Sequence, residues 1–525
     1  MGVTSDLQLL WLTKLSTGAD LTTSIVLTFL VGLFCLQVLA ATDKSSGYNP
    51  IKYVQNRIKT WQYLFKGQKI IQDGYEKSGG KPYEVLAPDN RYVFVSDPKY
   101  IRELDKAPDN VLSLQGAAKQ MLQPMYTMQH FNWFVIRGTE GVGFIRALRT
   151  LLTNNLPEIL PDLSSIIRSR MAELRNSHPT IKGEKHSPVY PMIVKLVVLS
   201  NAVSFFGKDL AKNDAFMESA LEYIEQTLIC AEIVRLLPKF MAPIVGNLLG
   251  ARLKAQDVIF NTLMPIAEQR VIEREAKAMG QEVPHHPDCI QWIMDTSPRQ
   301  NPWSAQRVVH ELMAIWFGSV HAVSTTITFA IHDLCLHPEY VEPLRNELVQ
   351  GYAEFERTSV GLPLLDSFIK ESARLTPVEA QSSRRSVLKP FTFSDGTKLA
   401  VGEWACTPVR SIMQNPEFYP SPLEFNGFRF ADPNILGDAG DAFKYKQPKP
   451  SKLTDCDNTF HVWGTGRMAC PGRYYATAVM KVIMGQVILH YDCEMVEQAG
   501  PRFFEWRSTI LPRSNTMIKF KPLHA

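Results

Sequence analysis

The sequence lacks cysteine pairs with metal-binding spacing, a strong net charge, internal repeats and low-complexity tracts. Its eight cysteines are scattered without a Cys-x-x-Cys pair. This argues against a structural zinc site or a disulfide scaffold, and for a reducing compartment. A net charge of only +4 gives no reason to expect nucleic acid as a partner. The 525 residues have an ordinary globular composition, 45% hydrophobic and 21% charged, so the chain can bury a large core.

A long uncharged run lies near the N-terminus, at residues 22–42. It is long enough to cross the hydrocarbon core of a membrane, and no basic region with a cleavage site precedes it, although Ala40-Ala41 leaves cleavage open. Four basic residues follow within residues 43–60, so the positive-inside rule puts the remaining chain in the cytosol. A buried core helix is the alternative for this run. The predicted organisation is a short lumenal N-terminus at 1–21, an anchor at 22–42, a linker at 43–60 and a folded domain at 61–525.

A glycine-rich segment with a cysteine, residues 460–472, stands near the C-terminus. Gly464 and Gly466 suit a tight turn, and Pro471 is suited to start the apolar helix that follows. The thiol of Cys470 then lies just before a helix N-terminus, where the helix dipole favours a thiolate. A soft anionic sulfur on such a loop fits the axial site of a heme iron. The alternative is an ordinary half-buried cysteine.

This segment resembles the heme-binding loop of the cytochromes P-450, the heme-thiolate monooxygenases, and its Gly-Arg-x-Ala-Cys-Pro-Gly-Arg run is most similar to membrane-bound fungal enzymes of secondary metabolism. The resemblance implies that Cys470 is the axial ligand of the iron of heme b. The family usually has Arg or His two residues before the cysteine as a donor to a heme propionate, whereas this chain has Met468, so neighbouring Arg467 is the candidate replacement. The other loop residues expected to contact heme are Trp463, Gly464, Gly466 and Gly472.

Further arginines are candidates for the propionates by the same resemblance. The sequence predicts a helix at 144–152, in which Arg149 is the preferred partner and Arg146 an alternative. Trp133-x-x-x-Arg137 matches a family motif literally, but several glycines follow it at once and make a poor helix. Arg385, before a hairpin-like run, is expected to bind the second propionate. A solvated basic face remains the alternative for the arginines of the 137–149 stretch.

A helical pattern of about ten turns covers residues 303–337. Pro302 and Pro338 bound it, and the resemblance makes it the long central helix over the heme. Gly318 and the hydroxyl residues after it weaken the helix and predict a local kink. In the family an acid followed by Thr at this kink relays protons to dioxygen.

This chain departs from that acid-Thr pair at both positions. His321 stands where the acid is usual, and Ala322 stands where the Thr is usual. A histidine with a near-neutral pKa is a competent relay, and Ser324 or Thr325 with an ordered water is the expected substitute for the missing hydroxyl. A core histidine without a catalytic role is the alternative for His321.

Glu371 and Arg374 are one helical turn apart and can pair on one face. Downstream, residues 425–430 resemble the family's Phe-x-Pro-x-Arg-Phe segment, with Arg429 matching and Gly427 in place of Pro. The resemblance implies a buried Glu371, Arg374 and Arg429 triad behind the heme. Such a cluster carries a desolvation cost, so we expect it to specify the geometry of the cysteine loop rather than simply to add stability.

Taken together, these motifs predict a mainly α fold with a smaller β region (α+β), in which the long central helix covers the heme and one transmembrane helix precedes the domain. The predicted activity is oxidation of a hydrophobic small molecule, in one or more steps, by dioxygen and NADPH-derived electrons from an NADPH-cytochrome P-450 reductase. The substrate class implied is a terpenoid, meroterpenoid or alkaloid intermediate. The predicted location is the endoplasmic reticulum membrane, single-pass, with a cytosolic catalytic domain. A heme-thiolate desaturase, rearranging enzyme or isomerase is the main alternative, and a non-catalytic heme-binding protein is a remote one.

Overall fold

A computed structural model describes Gly32 and residues 50–136, 142–181, 183–435, 450–496 and 500–523. The predicted lumenal segment 1–21, nearly all of the anchor 22–42 and the candidate Arg137 lie outside the described residues. Within the described part, the predicted mainly helical fold with a smaller β region is confirmed. The first described helix begins at Pro50, inside the stretch predicted to be linker, because proline is well suited to the first turn of a helix.

Most of the described chain is α-helical. In chain order the α-helices are α1 (Pro50–Ser78), α2 (Pro98–Lys106), α3 (Leu114–Leu122), α4 (Pro124–Thr127), α5 (Gly143–Arg146), α6 (Leu156–Ser177), α7 (Val189–Phe206), α8 (Lys208–Ala211), α9 (Asp214–Leu236), α10 (Ala242–Gly250), α11 (Lys254–Ala278), α12 (Cys289–Asp295), α13 (Ala305–Ser319), α14 (His321–Leu336), α15 (Val341–Thr358), α16 (Pro363–Leu375), α17 (Val409–Met413) and α18 (Arg473–His490). Short 3₁₀ turns occur at Pro338–Tyr340, Pro433–Ile435 and Gly466–Met468.

The strands form two larger sheets and two hairpins. They are β1 (Tyr83–Leu86), β2 (Arg91–Phe94), β3 (Leu112–Ser113), β4 (Thr180–Ile181), β5 (Glu184–Pro188), β6 (Gln381–Val387), β7 (Phe391–Thr392), β8 (Lys398–Leu399), β9 (Trp404–Pro408), β10 (Tyr491–Met495), β11 (Phe503–Trp506), β12 (Thr509–Pro512) and β13 (Met517–Pro522). The five-stranded sheet has the order β1-β2-β9-β6-β3, with β2 and β9 parallel, and the four-stranded sheet has the order β10-β13-β5-β4. The pairs β7-β8 and β11-β12 are the hairpins.

The predicted central helix is two helices, α13 and α14, which we call the central helices. The side chain of Ser304 caps the start of α13, and the backbone breaks at Val320, which has φ −99° and ψ −60°. The prediction of a single helix over 303–337 is therefore wrong, because the structure has two helices there. The break between them lies just after Gly318, where the sequence predicted a kink. Residues on most sides of both helices are buried. For example, α14 packs against the three helices α7, α16 and α18 and against strand β10.

Two other helix predictions need correction. The helix after the cysteine loop begins at Arg473 with Gly472 at its N-cap position, not at Pro471, since Pro471 and Gly472 form a turn. The segment 144–152 begins as one α-helical turn and continues as a π-helix over Ala147–Leu152. π-Helical turns are rare and recur at functional sites.

Two apolar stretches of the described chain are long enough to cross a membrane, α7 and the central helices from Ala305 to Leu336. Both are mostly buried in the protein interior, with 83% and 72% of their most apolar parts covered. Their hydrophobicity is therefore satisfied by packing within this fold.

Candidate active site

Backbone turns shape the cysteine loop, residues 460–472, which we call the Cys470 loop. Gly464 and Gly466 have φ values of +79° and +57°, in the left-handed region that glycine adopts without strain. At Gly466 a Cβ would also lie 2.8 Å from the carboxylate of Asp105. The backbone N–H of Cys470 donates to the Trp463 carbonyl at 2.8 Å, which closes the loop behind the thiol.

The Cys470 side chain is half-buried at the end of this loop. Burial raises the pKa of its thiol, while the backbone N–H of Gly472 and the charges of Arg473 and Arg149 oppose that rise. α18 begins three residues after Cys470, and the effect of its N-terminus on the thiolate stays a prediction. A bound iron would displace the proton itself, since a coordinating thiol is deprotonated outright.

Behind the Cys470 loop, Glu371, Arg374 and Arg429 form a fully buried ionic cluster. Arg374 donates to both oxygens of Glu371 at 2.7 and 2.8 Å, and Nε of Arg429 donates to the same two oxygens at 3.0 and 3.1 Å. All three side chains have 0% exposure. The backbone N–H of Asn426 is a further donor to Glu371, at 3.0 Å. Both charge and hydrogen-bonding capacity of the carboxylate are therefore satisfied, as a buried ion cluster requires.

The structure also explains why glycine occupies position 427. A Cβ there would lie 2.7 Å from the ring of Phe368 and 3.0 Å from that of Tyr340. Arg429 follows on a loop whose carbonyls, including Pro420 at 2.7 Å, accept its remaining N–H groups. Close aromatic packing therefore requires a residue without a side chain at the place where the family usually has Pro.

An aromatic layer connects the cluster with the Cys470 loop. Buried Lys370, one residue before Glu371, lies over the rings of Phe430 and Phe460 at 4.5 Å each. Phe430 directly follows Arg429, and Phe460 begins the Cys470 loop. The cation–π contacts thus hold the loop against the helix that carries Glu371.

Two of the candidate arginines, Arg385 and Arg149, contact residues of the Cys470 loop or their direct partners. Arg385 is 2% exposed, and its Nη2 is 3.5 Å from Oδ1 of Asp105, which accepts from Thr465 of the loop at 2.8 Å. Burial lowers the pKa of Arg385 to about 10, and Asp105 opposes the shift. Arg149, in the π-helix, donates to the Arg467 carbonyl at 3.4 Å.

The other two described candidates, Arg467 and Arg146, are more open to solvent than Arg385. The Arg467 side chain is about half exposed and pairs with Asp109 at 2.7 Å and with the Ala107 carbonyl at 2.7 Å. Arg146 is exposed on the turn before the π-helix. Of the candidates for an anionic group of heme, buried Arg385 with its long contact to Asp105 has the strongest need for a second anion.

The central helices have an open face at their junction. Gly318 and Ala322 are exposed although most residues of both helices are buried, and a Cβ placed on Gly318 would meet no described atom outside its own helix within 4 Å. An exposed patch on a largely buried helix pair leaves open space beside the helix break. A half-buried thiol, a buried cation and an open helix face are the features that heme requires, so the residues present fit that group.

His321 lies beside this open face and contacts a residue that the sequence did not point to. Its Nδ1 is 3.2 Å from the hydroxyl of Tyr190 on α7, and its buried Nε2 has no hydrogen-bond partner within the described residues. Burial lowers the pKa of His321 to about 4, so the ring is neutral at pH 7. Burial raises the pKa of Tyr190 to about 12, while nearby Thr325 opposes and the charge of Glu225 adds to the rise.

The two predicted hydroxyl residues are both fully buried. Ser324 has 0% exposure, and its Oγ has no partner in the described part of the chain. Thr325 also has 0% exposure and lies near the Tyr190 hydroxyl. Thr326, which the sequence analysis did not single out, donates to the Ala322 carbonyl at 2.9 Å, one turn along from the open face. The spacing of Thr326, one helical turn after Ala322, is the sequence signal that could have identified it.

A glycine-shaped cysteine loop held by a buried ionic cluster, together with a broken and open central helix, is the combination of features expected of a heme-thiolate monooxygenase. The family model for cytochrome P450 matches residues 61–520, and the chain belongs to this family. Members bind heme through a cysteine thiolate and receive electrons from a redox partner.

Curated relatives and a solved structure are similar along most of the chain. "Cytochrome P450 monooxygenase olcJ" of Penicillium canescens is 29% identical over 87% of this chain and 82% of its own. "Cytochrome P450 monooxygenase janQ" of Penicillium janthinellum is 25% identical over 88% of this chain and 91% of its own. The solved structure of retinoic acid-bound cyanobacterial CYP120A1 matches this chain with a TM-score of 0.63, and the match covers 89% of this chain and 96% of that structure. At 17% sequence identity, this similarity concerns the fold alone.

Proposed function

We propose that Cys470 binds the iron of heme b and that the enzyme oxidises a hydrophobic small molecule, using dioxygen and electrons from NADPH delivered by an NADPH-cytochrome P-450 reductase. The observation that carries this proposal is the Cys470 loop braced by the buried Glu371, Arg374 and Arg429 cluster. When bound, heme supplies dioxygen activation, promoted by the electron-donating thiolate.

Arginines hold the anionic edge of the cofactor in this proposal. Arg385 and Arg149 are the partners of the heme propionates, and Arg467 is an alternative if it leaves Asp109. The buried charge of Arg385 supports this role, because a carboxylate nearby would offset its desolvation. Trp463, Gly464, Gly466 and Gly472 shape the loop around the group.

His321 handles protons in this proposal, in place of the usual acid. The Tyr190 O–H donates to Nδ1 and fixes the tautomer that carries a proton on Nε2. That Nε2–H then remains free to donate to an ordered water or to substrate, because the described residues offer it no acceptor. Ser324 and Thr325 are the hydroxyl groups that, with such a water, substitute for the Thr missing at Ala322.

An apolar surface stripe and the fungal relatives support the proposed substrate and location. An apolar stripe runs along α10 and the two residues before it. Its members are spaced four residues apart and are 66%, 65% and 61% exposed: Phe240, Ile244 and Leu248. With the predicted anchor at 22–42, this stripe supports attachment to the endoplasmic reticulum membrane, a cytosolic domain spanning 61–525 and entry of a hydrophobic substrate. The relatives are fungal cytochrome P450 monooxygenases, and with the sequence resemblance to fungal enzymes of secondary metabolism this supports a terpenoid, meroterpenoid or alkaloid intermediate as substrate.

Reconstitution with a reductase, NADPH and ¹⁸O₂ tests the proposed reaction. One labelled oxygen atom in the product of a screened terpenoid or alkaloid supports a monooxygenase. A product that lost hydrogen or rearranged without label favours the desaturase, rearranging enzyme or isomerase, for which the open Ala322 is the observation. NADPH consumption that no substrate stimulates, together with no product of any kind, would favour the remaining alternative, a heme-binding protein without turnover.

A further inference from the structure

A buried asparagine of α7 contacts the central helices where they break. Nδ2 of Asn201 donates to the carbonyl of Ser319 at 3.1 Å and to its hydroxyl at 3.0 Å, so both N–H groups of the amide are used. Ser319 is the last residue of α13, and the backbone breaks at Val320 directly after it. Because Asn201 lies 118 residues before Ser319, no motif in the sequence connects the two.

Side chains occupy two backbone carbonyls at this break. In a continuous α-helix the Ser319 carbonyl would accept from the backbone N–H of Val323. The Trp316 carbonyl would likewise accept from the backbone N–H of Val320. Here the Asn201 amide donates to the first of these carbonyls, and the Ser319 hydroxyl donates to the second at 2.8 Å. Side chains that enter the hydrogen-bond ladder of a helix are a known cause of sharp breaks.

A buried tyrosine of α18 fixes the orientation of the Asn201 amide. The Tyr475 O–H reaches Oδ1 of Asn201 at 3.1 Å. Two further acceptors, the Ser200 carbonyl and the Ser204 hydroxyl, lie at the same distance and hold the phenol in place. Because Oδ1 is the only acceptor of a side-chain amide, a phenol O–H at this atom leaves Nδ2 directed at the break.

We propose that Asn201 is a positioning residue that keeps the central helices broken, with Tyr475 holding its amide in the required orientation. The break lies between Gly318 and Ala322, whose exposed positions form the open face. The importance of this open face for the reaction rests on the proposed function, whereas the cause of the break does not.

One face of α7 then positions both polar parts of the central helices. Tyr190, which contacts His321, is about three helical turns from Asn201, so the two side chains lie on the same face of α7. That helix packs against α14. Tyr475 stands on α18, the helix that follows the Cys470 loop. A chain of three hydrogen-bonded side chains therefore joins this helix to the break.

Hydrogen exchange of the heme-loaded, membrane-bound protein, followed by mass spectrometry, tests the cause of the break. N201L removes the donor to Ser319 and leaves that carbonyl available to a backbone N–H of α14. We expect the backbone amides of 320–323 to exchange about five-fold more slowly, the change that one net hydrogen bond produces. Y475F should give a smaller change in the same direction, while its ring keeps the packing against Phe205 at 5.6 Å.

A second buried pair of a tyrosine and an amide provides matched controls. Nε2 of Gln486 donates to the Tyr352 hydroxyl at 3.0 Å, and that hydroxyl also contacts Ser164. Among the described residues, neither Gln486 nor Tyr352 is hydrogen-bonded to the central helices. Q486L and Y352F remove groups of the same kind and should leave exchange at 320–323 unchanged.

Two results would overturn the inference. One is unchanged or faster exchange at 320–323 in folded N201L, which would mean that packing alone sets the break. The other is equal slowing in Q486L. Circular dichroism establishes that each variant is folded, and if N201L does not fold, Y475F decides in the same way.

The carbon monoxide band of the same samples separates this inference from the proposed function. Slower exchange in N201L, with a parent protein that lacks the red-shifted band, keeps Asn201 as the cause of the break and rejects only the proposed heme ligation. Unchanged exchange with the band present rejects the role of Asn201 and leaves Cys470 as the ligand.

Discussion

The Cys470 side and the central-helix side of the site are built in contrasting ways. Behind the Cys470 loop, the Glu371 carboxylate and both its arginines are completely buried and their charges are matched by several donors and acceptors. On the central helices, buried polar atoms of His321 and Ser324 lack partners within the described residues. The first side is organised to stay fixed, and the second keeps hydrogen-bonding capacity for groups that come and go.

Replacement of Cys470 removes the group on which the fixed side is centred. C470S should eliminate the strongly red-shifted Soret band in the carbon monoxide difference spectrum of the reduced protein, because a serine hydroxyl does not supply a thiolate. C456S, in the neighbouring segment, should retain the band. A folded, heme-containing parent protein without the band would show that Cys470 is not the ligand, and the site assignments around it would fail as well.

The ionic cluster provides the next largest expected effect. E371Q leaves two buried arginines without their anion, so we expect a loss of about 3–5 kcal/mol of unfolding free energy and poor heme retention. The matched control is E354Q, which breaks the exposed pair with Arg357 and should cost less than about 0.5 kcal/mol. Thermal unfolding and heme content measure both. Similar losses in the two variants would mean that the Glu371 cluster does not brace the loop.

Predictability from sequence also differs between the two sides. The Cys470 loop and the Glu371, Arg374 and Arg429 residues stand in short segments whose spacing is informative before any fold is known. Tyr190 could not be predicted as the partner of His321, since it lies 131 residues away and only the packing of α7 on α14 brings them together. The position of the break at Val320 could likewise be predicted only approximately. Glycine and hydroxyl residues indicate a weak helix, but tertiary packing decides where the helix opens.

Three buried histidines on the central helices should make the fold sensitive to acid. Burial lowers the pKa values of His310 and His321 to about 4 and that of His332 to about 3, from an ordinary value near 6.5. Below pH 6.5 the unfolded chain therefore takes up protons that the folded chain does not. The stabilising contribution is complete above that pH and is lost as the pH falls toward 4.

A histidine replacement measures this acid response. His310 stacks on Phe131 at 4.7 Å and near Phe260 at 5.4 Å, so H310F keeps an aromatic ring without a titrating group. It should reduce the loss of stability between pH 7 and pH 5 by about 2 kcal/mol. Replacement of exposed His285 by Gln should leave the profile unchanged. Parallel profiles for H310F and the parent would mean that His310 titrates normally.

The smallest expected effect concerns the hydrogen bond that orients His321. Y190F removes the hydroxyl next to Nδ1 and should cost about 1 kcal/mol in the proton-dependent step, a several-fold fall in product formed per NADPH with a matching rise in released hydrogen peroxide. Stability should change little, because the ring of Tyr190 stays buried on α7.

An NMR titration of His321 with ¹⁵N labelling adds a readout independent of turnover, since loss of the bond to Nδ1 should change the tautomer ratio. A322T, which restores the usual hydroxyl, should recover coupling in the Y190F background. If A322T improves coupling while Y190F leaves both coupling and tautomer unchanged, the open helix face delivers protons without His321, and the contrast between the two sides depends on Ala322 alone.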